Sequence, residues 1–261
     1  MRLHVDVEGA GPTVVLAHGF AGSARNLGPQ ARALRARYRV VRYDARGHAR
    51  SEAPDDPGAY TLDALVDDLG SVLDRVGVLE AVVGGMSMGA MTALAFAAAH
   101  PERVRGLVVA GLPASPGSGA GLGHVALAFA DAIERDGIEA AGARFVWGEG
   151  SGLDARGARL VRQGFLEHSP RALAHLLRGV VARWPVAADL AGGLARTRTP
   201  ALIVVGADDA GALAPSRALA AELPWAHLVI IPDAGHLANL EQATRFNAVL
   251  LEWLDTLDPV P

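Results

Sequence analysis

A serine hydroxyl attacks carbonyl carbon well only where the backbone presents it and a base can take its proton. Gly85-Met86-Ser87-Met88-Gly89 meets the first requirement. The run Ala81-Val82-Val83-Gly84 before it reads as a strand, and the Ala-rich stretch from Met88 to Ala99 reads as a helix. A strand that turns sharply into a helix strains its central residue, and flanking glycines relieve the crowding. Ser87 would then stand above a sheet edge at a helix N-terminus. The plainer reading of the same residues is a helix N-cap serine, and the strand–turn–helix context favours the nucleophile.

The base is sought among nine histidines. His236 lies in Pro232-Asp233-Ala234-Gly235-His236-Leu237, directly after the last predicted strand, where a side chain can reach back over the sheet's C-terminal edge. His4, His100, His168, His175 and His227 read as ordinary surface or strand-end residues. His124 reads as solvated or packed within the helical middle of the chain, and His18 as a brace for its own loop. An imidazole base needs a carboxylate to orient it. Gly206-Ala207-Asp208-Asp209 follows the penultimate strand, and both aspartates are candidates. Motif position favours Asp209, leaving Asp208 to cap the helix near 215 or to meet solvent. Negative charge developing on the carbonyl oxygen calls for backbone N–H donors. Met88, next to the serine, is one candidate, and Phe20 in His18-Gly19-Phe20 is the other, its ring helping to wall the pocket.

These residues need a scaffold that brings distant loops to one edge. Unbroken apolar runs at 13–17, 39–43, 81–84, 107–110, 201–205 and 228–231 suit strands buried on both faces. Helical segments at about 24–37, 61–76, 88–99, 215–223 and 241–257 alternate with them. That alternation predicts an α/β fold with a mostly parallel sheet. Leu3 to Val7 has strand periodicity, and Gly9-Ala10-Gly11-Pro12 turns it into the strand at 13–17, which reads as an antiparallel hairpin. From Pro113 to Thr199 no strand is evident. Helical runs near 124–136, 138–147, 155–168, 170–181 and 186–195 read as a cap over the sheet's ligand edge. The division is a core at 1–112 and 200–261 with a helical cap at 113–199, and the Gly/Ser-rich run 115–121 is its expected hinge.

Composition narrows the chemistry. Of 261 residues 51% are hydrophobic, ample for a core. All 24 basic residues are arginine, which removes lysine Schiff bases and a phosphate-gripping lysine; with no cysteine there is no disulfide, zinc-thiolate or iron–sulfur site. A net charge of −4 gives no electrostatic footprint for nucleic acid or an anionic membrane. The longest uncharged apolar run, Met88 to Ala99, is far shorter than the roughly 20 residues of a bilayer span. The N-terminus, with Asp6 and Glu8, is unlike a secretory signal. The expectation is a soluble cytoplasmic protein.

With these residues in place, the sequence resembles the α/β-hydrolase superfamily along nearly its whole length. The resemblance rests on His18-Gly19, Asp44-Ala45-Arg46-Gly47-His48, Gly85–Gly89, His100-Pro101-Glu102-Arg103-Val104, Gly206–Asp209 and Gly235-His236. Gly235 to Gln242 looks most like small bacterial carboxylesterases and enol-lactonases. The chain order Ser87…Asp209…His236 is that of the hydrolase fold. The chain departs from the family's usual glycines at Ala49 and Ala90. Because it begins one strand later than many relatives, the expected sheet has about seven strands, with the cap inserted before the last two. The resemblance implies a carboxylesterase with a Ser87–His236–Asp209 triad, an oxyanion hole at Phe20 and Met88, and no metal or organic cofactor. The substrate expected is a small-molecule ester with a small to medium, largely apolar acyl group, in a pocket including Phe20, Met86, Phe145, Trp147, Trp184 and Leu237. The same triad would serve a lactonase, an enol-lactonase or a cofactor-free perhydrolase, and the fold also serves as a ligand receptor. Ser87 rather than aspartate as nucleophile argues against dehalogenase and epoxide hydrolase chemistry, and Leu237 after His236 against carbon–carbon bond hydrolysis.

Overall fold

Val14 and Leu16 face one side of their strand, Val15 and Ala17 the other, and all four are buried. The same two-sided burial recurs at Val82/Val83 and Val108/Val109, which is why the strands read as continuous apolar runs. The computed structural model describes residues 1–114, 122–148 and 155–257, so the run 115–121 expected as a hinge lies outside the described residues.

The strands are β1 (Val5–Glu8), β2 (Thr13–Ala17), β3 (Arg39–Tyr43), β4 (Ala81–Met86), β5 (Val104–Ala110), β6 (Ala201–Gly206) and β7 (Ala226–Ile231). They form one seven-stranded sheet in the order β1-β3-β2-β4-β5-β6-β7, parallel except for β1. The expected hairpin of β1 with β2 does not form. β1 pairs antiparallel with β3, Val5 opposite Tyr43 and Glu8 opposite Val40. The link from Gly9 to Pro12 crosses the entry to β3 instead of turning back on itself. Gly9, at φ 76°, lies so near the Tyr38 carbonyl that a Cβ would come within 2.3 Å of it.

Helices α1 (Gly28–Leu34), α2 (Leu62–Arg75) and α3 (Met88–Ala99) connect the first strands. The insertion between β5 and β6 carries α4 (Leu122–Asp136), α5 (Ile138–Phe145), α6 (Ala155–Phe165), α7 (Pro170–Leu176) and α8 (Ala187–Leu194), with a wide π-type turn, Leu177–Val181, after α7. Then come α9 (Ala210–Glu222), α10 (Ala238–Glu241) and α11 (Ala243–Leu257). α9 starts at Ala210, not near 215, and carries Pro215 within it at the loss of one helix bond. Leu34 of α1 and Phe246, Leu250 and Trp253 of α11 cover one sheet face, while α2 and α3 cover the other. Every residue of α3 from Met88 to Ala97 is buried. This helix lies beneath α2 and the insertion rather than at the surface.

The insertion has an aromatic core of its own. The Phe129 ring stacks on Phe145 and Phe165, with centroids 4.7 and 5.9 Å away, and meets Phe20 edge-on at 6.1 Å. Among the described residues, no helix is long and apolar enough to cross a membrane.

Candidate active site

β4 ends at Met86 and α3 begins at Met88, which leaves Ser87 alone to make the turn, at φ 55° and ψ −113°. That conformation costs a non-glycine residue about 1–3 kcal/mol. Its N–H is anchored on the Ala110 carbonyl of β5, 2.9 Å away, and its carbonyl accepts from Met91 in α3 at 3.0 Å. The glycines make the turn sterically possible. A Cβ on Gly85 would lie 2.3 Å from the Gly89 backbone, and one on Gly89 would lie 2.2 Å from the Ala17 carbonyl.

The loops after β6 and β7 converge on this serine. Ala207 N–H donates to the Ile231 carbonyl (2.8 Å) and Asp208 N–H to that of Ala234 (2.9 Å), so the acid loop is laced to the histidine loop. His236 Nε2 lies 3.0 Å from Ser87 Oγ, and His236 Nδ1 lies 2.7 Å from Asp209 Oδ2. Asp209 is the aspartate that meets the imidazole; Asp208 stands in the neighbouring cavity wall. Glu241 of α10 accepts from Gly235 N–H (2.6 Å) and Leu237 N–H (3.1 Å), clamping the peptide on either side of His236. This clamp is absent from the sequence reading, although an acidic residue five positions after the histidine was its visible signal.

On the opposite flank lies the loop after β2. Gly19 is close enough that a Cβ there would sit 3.3 Å from Ser87 Cβ. Gly22 N–H closes a turn onto the Gly19 carbonyl at 3.0 Å, and Ala21 N–H donates to His48 Nε2, also at 3.0 Å; the N–H of Phe20 takes part in neither bond. The N–H of Met88 is one of the unpaired donors at the start of α3. The loop is anchored further on by Asp44, which is fully buried and takes Ala24 N–H at 2.7 Å and Arg50 Nε at 2.8 Å. Burial opposes ionisation of Asp44, but Arg50 and the two backbone N–H groups outweigh it and hold the carboxyl below its usual range.

Three imidazoles support this loop. Ala45 N–H donates to His18 Nε2 (2.9 Å), Ala21 N–H to His48 Nε2 (3.0 Å) and Ala49 N–H to His168 Nδ1 (2.9 Å). A backbone N–H can only donate, so each ring keeps one bare nitrogen and is neutral. The remaining nitrogens donate to the carbonyls of Gly19 (2.7 Å), Arg46 (3.0 Å) and Ala21 (2.9 Å). Burial pushes His18 down to about 4 and lowers His48 and His168 as well. His168 is therefore not a surface residue; the docking of the insertion encloses it. His124, by contrast, is exposed.

A cavity of about 1040 Å³ adjoins these groups, walled by Phe20, Met86, Phe145, Val161, Phe165 and Leu237, with Asp208, Asn239 and Glu241 among its polar residues. Trp147 and Trp184 are not in that wall. Trp184 is packed inside the insertion with Nε1 donating to the Ala114 carbonyl at 3.2 Å, and Trp147 leans on Phe165 with ring centroids 5.3 Å apart. A more open groove of about 530 Å³ between α2, α3 and the turn after α7 contains none of Ser87, Asp209 or His236. Among the described residues, no group of three or more histidine and acidic side chains is placed to hold a metal ion.

Comparison with known proteins agrees with this architecture. Residues 12–132 match the model of a family described as the alpha/beta hydrolase fold. A protein of Caulobacter sp. (strain K31), provisionally named carbamate hydrolase RutD, is 34% identical over 256 residues, covering 93% of this chain and 90% of its own. The chain belongs to the α/β-hydrolase family. Among solved structures, this hydrolase is similar to a thermophilic esterase from Thermogutta terrifontis, solved with malate bound. The TM-score is 0.86 and the identity 30%, over 98% of this chain and 93% of that one. It is also similar to the enol-lactonase from Burkholderia xenovorans LB400, with a TM-score of 0.84 and 27% identity over 97% of this chain and 96% of that one.

Proposed function

We propose that this hydrolase cleaves carboxylic esters through an acyl-enzyme on Ser87. The observation that carries the reading is the continuous proton path from Ser87 Oγ through His236 to Asp209, with contacts of 3.0 and 2.7 Å, on a serine held at positive φ. Oγ attacks the ester carbonyl as His236 Nε2 takes its proton, and Asp209 stabilises the imidazolium that forms. The tetrahedral oxyanion is received by the N–H groups of Phe20 and Met88, each such donor being worth about 10²–10³ in turnover. Collapse expels the alcohol, which leaves with the proton from His236. A water molecule deprotonated by the same imidazole then releases the acid and restores Ser87.

The helices of the insertion act as a cap, and Phe145, Val161 and Phe165 supply its contribution to the cavity. Those apolar walls suit a small to medium uncharged acyl group. A lactone is the second reading, since ring opening needs the same attack and the same oxyanion donors; it is favoured by the likeness to an enol-lactonase over nearly the full chain. Initial rates on p-nitrophenyl esters from acetate to decanoate test the main reading. Wild type should turn over with a chain-length optimum, and Ser87→Ala should lose on the order of 10⁶ in kcat. A wild type as inert as the variant on these esters, but active on lactones, selects the second reading.

A further inference from the structure

The peptide that would offer Phe20 N–H to an oxyanion is steered by imidazoles that the reaction itself does not use. His18 Nδ1–H donates to the Gly19 carbonyl, which belongs to that same peptide, at 2.7 Å. The next peptide has its N–H, that of Ala21, on His48 Nε2, and the one after has its carbonyl, that of Ala21, on His168 Nε2–H at 2.9 Å. His18 and His48 belong to the core, whereas His168 comes from the insertion, between α6 and α7. Its other nitrogen takes Ala49 N–H at 2.9 Å, so this one side chain joins the loop after β2, the loop after β3 and the insertion.

Backbone geometry shows that these bonds hold something that would otherwise relax. Ala21 at φ 55° and Ala49 at φ 41° both lie in the left-handed region that alanine seldom adopts. Both donate their N–H to one of these rings. The rings also contact one another, with centroids 4.9 Å apart for His18–His48 and 5.1 Å for His48–His168, and Phe20 packs edge-on against His48 at 6.1 Å.

We propose that His168 is a positioning residue through which the docked insertion holds the Phe20–Ala21 segment in register with Ser87, so that the oxyanion donor is complete only when the insertion is seated. The inference rests on the proposed acyl transfer at Ser87. Its test separates the two bonds of His168. The amide oxygen of asparagine reaches the place of Nδ1 and can still receive Ala49 N–H, whereas the amide nitrogen of glutamine reaches the place of Nε2 and can still donate to Ala21.

The measurement is kcat and KM on p-nitrophenyl butyrate for H168N and H168Q. The rate of Ser87 phosphonylation by a fluorophosphonate probe is measured alongside, since that reaction forms a P–O bond, expels fluoride and needs no ester turnover. H168N should lose about 10- to 100-fold in kcat with little change in KM, and slow in phosphonylation by a similar factor. H168Q should remain within about threefold of wild type in both. Melting temperatures control for a purely structural role, which would lower both variants alike. If H168N does not fold, H168A/A49G replaces it and is read against A49G alone: both ring bonds are then lost, but glycine at 49 accepts the left-handed backbone without the bond that holds Ala49. Equal behaviour of the asparagine and glutamine variants, whether both active or both impaired in step with stability, overturns the proposal. A wild type that is phosphonylated but turns over no ester overturns the ester reading alone, and the phosphonylation rates then decide this one.

Discussion

On the β6–β7 side of Ser87, His236 leaves 45% of its side chain exposed and shares Nδ1 with a carboxylate. On the β2–β3 side, His18, His48 and His168 are only 1%, 0% and 5% exposed, and each takes a backbone N–H on a bare nitrogen. The same side chain therefore does two incompatible jobs within one site. In the proposed reaction His236 gains and loses a proton in every half-cycle, with Asp209 hydrogen-bonded to Nδ1 as the partner of the charge that forms. The other three must stay neutral, because an added proton would set an N–H against an N–H inside a dry interior. Desolvation enforces that neutrality. In the proposed reaction, what separates a proton carrier from a structural strut is access to solvent and a carboxylate, not residue type.

Asp209 is where this division can be broken most directly. Asp209→Asn keeps the shape of the acid but removes the charge that supports the His236 imidazolium, and it can favour the wrong tautomer. A fall of about 10⁴-fold in kcat on p-nitrophenyl acetate is expected. Asp208→Asn, one residue away but not bonded to the imidazole, should stay within about threefold. Equal losses at the two positions would mean that the acid is not tied to Asp209 as the geometry has it.

The neutral side of the comparison is tested by stability against pH. Well above pH 6.5 the three buried rings are uncharged in both the folded and the unfolded chain. As pH falls further, the unfolded chain takes up protons that the folded one refuses, so stability is lost on the way down to about 4. For His18 alone the full loss is about 3 kcal/mol. His48 and His168 add in the same direction. The carbonyl facing each ring, Asp44 for His18 and His168, and Glu167 for His168 pull towards protonation and narrow the window without reversing it. Urea midpoints measured from pH 7.5 to 4.5 should therefore fall steeply. H168Q should fall less steeply by one proton, about 1.4 kcal/mol per pH unit. A wild-type midpoint that is flat across this range would show that the rings do not titrate as buried groups.

Sequence legibility follows the range of the interactions involved. Strands β2 to β6 could be read because both faces of each are covered, which leaves unbroken apolar runs. β7, at the sheet edge with Ile230 exposed, could be read from its run Leu228–Ile231 although its faces are only partly covered. The gathering of Ser87, Asp209 and His236 could be read because each sits in the loop or turn that ends a parallel strand, and such loops share one sheet edge. The partner of β1 could not be read, since a four-residue Gly/Pro link serves a hairpin or a crossover equally well, and only contact with Tyr38 decides between them. His168 looked like a surface residue because its burial is set by how the insertion docks, a property of no local pattern. Trp147 and Trp184 failed as pocket residues for a related reason: an inserted helical layer needs its own core, and composition does not tell which aromatics fill it. Ala49 stands where the family usually has glycine, and the structure shows the left-handed backbone retained at φ 41°, held by a bond from outside the loop.

The smallest expected effect concerns how firmly the proton-carrying side is held. Exposure opens His236 to the cavity, but it also removes packing that would fix the ring. Glu241 compensates by accepting from the N–H groups of Gly235 and Leu237, so its two oxygens restrain the chain on both sides of the histidine. Glu241→Gln keeps the size of the side chain and one acceptor but turns the other into a donor facing a donor. A loss of about 3- to 10-fold in kcat is expected, with the chain-length preference for esters unchanged because the acyl walls are untouched. Replacement by alanine removes both restraints and should cost more than glutamine in kcat. If both variants keep the wild-type kcat, the loop is rigid without the clamp, and the bonds of Ala207 and Asp208 to the histidine loop suffice to hold His236 against Ser87.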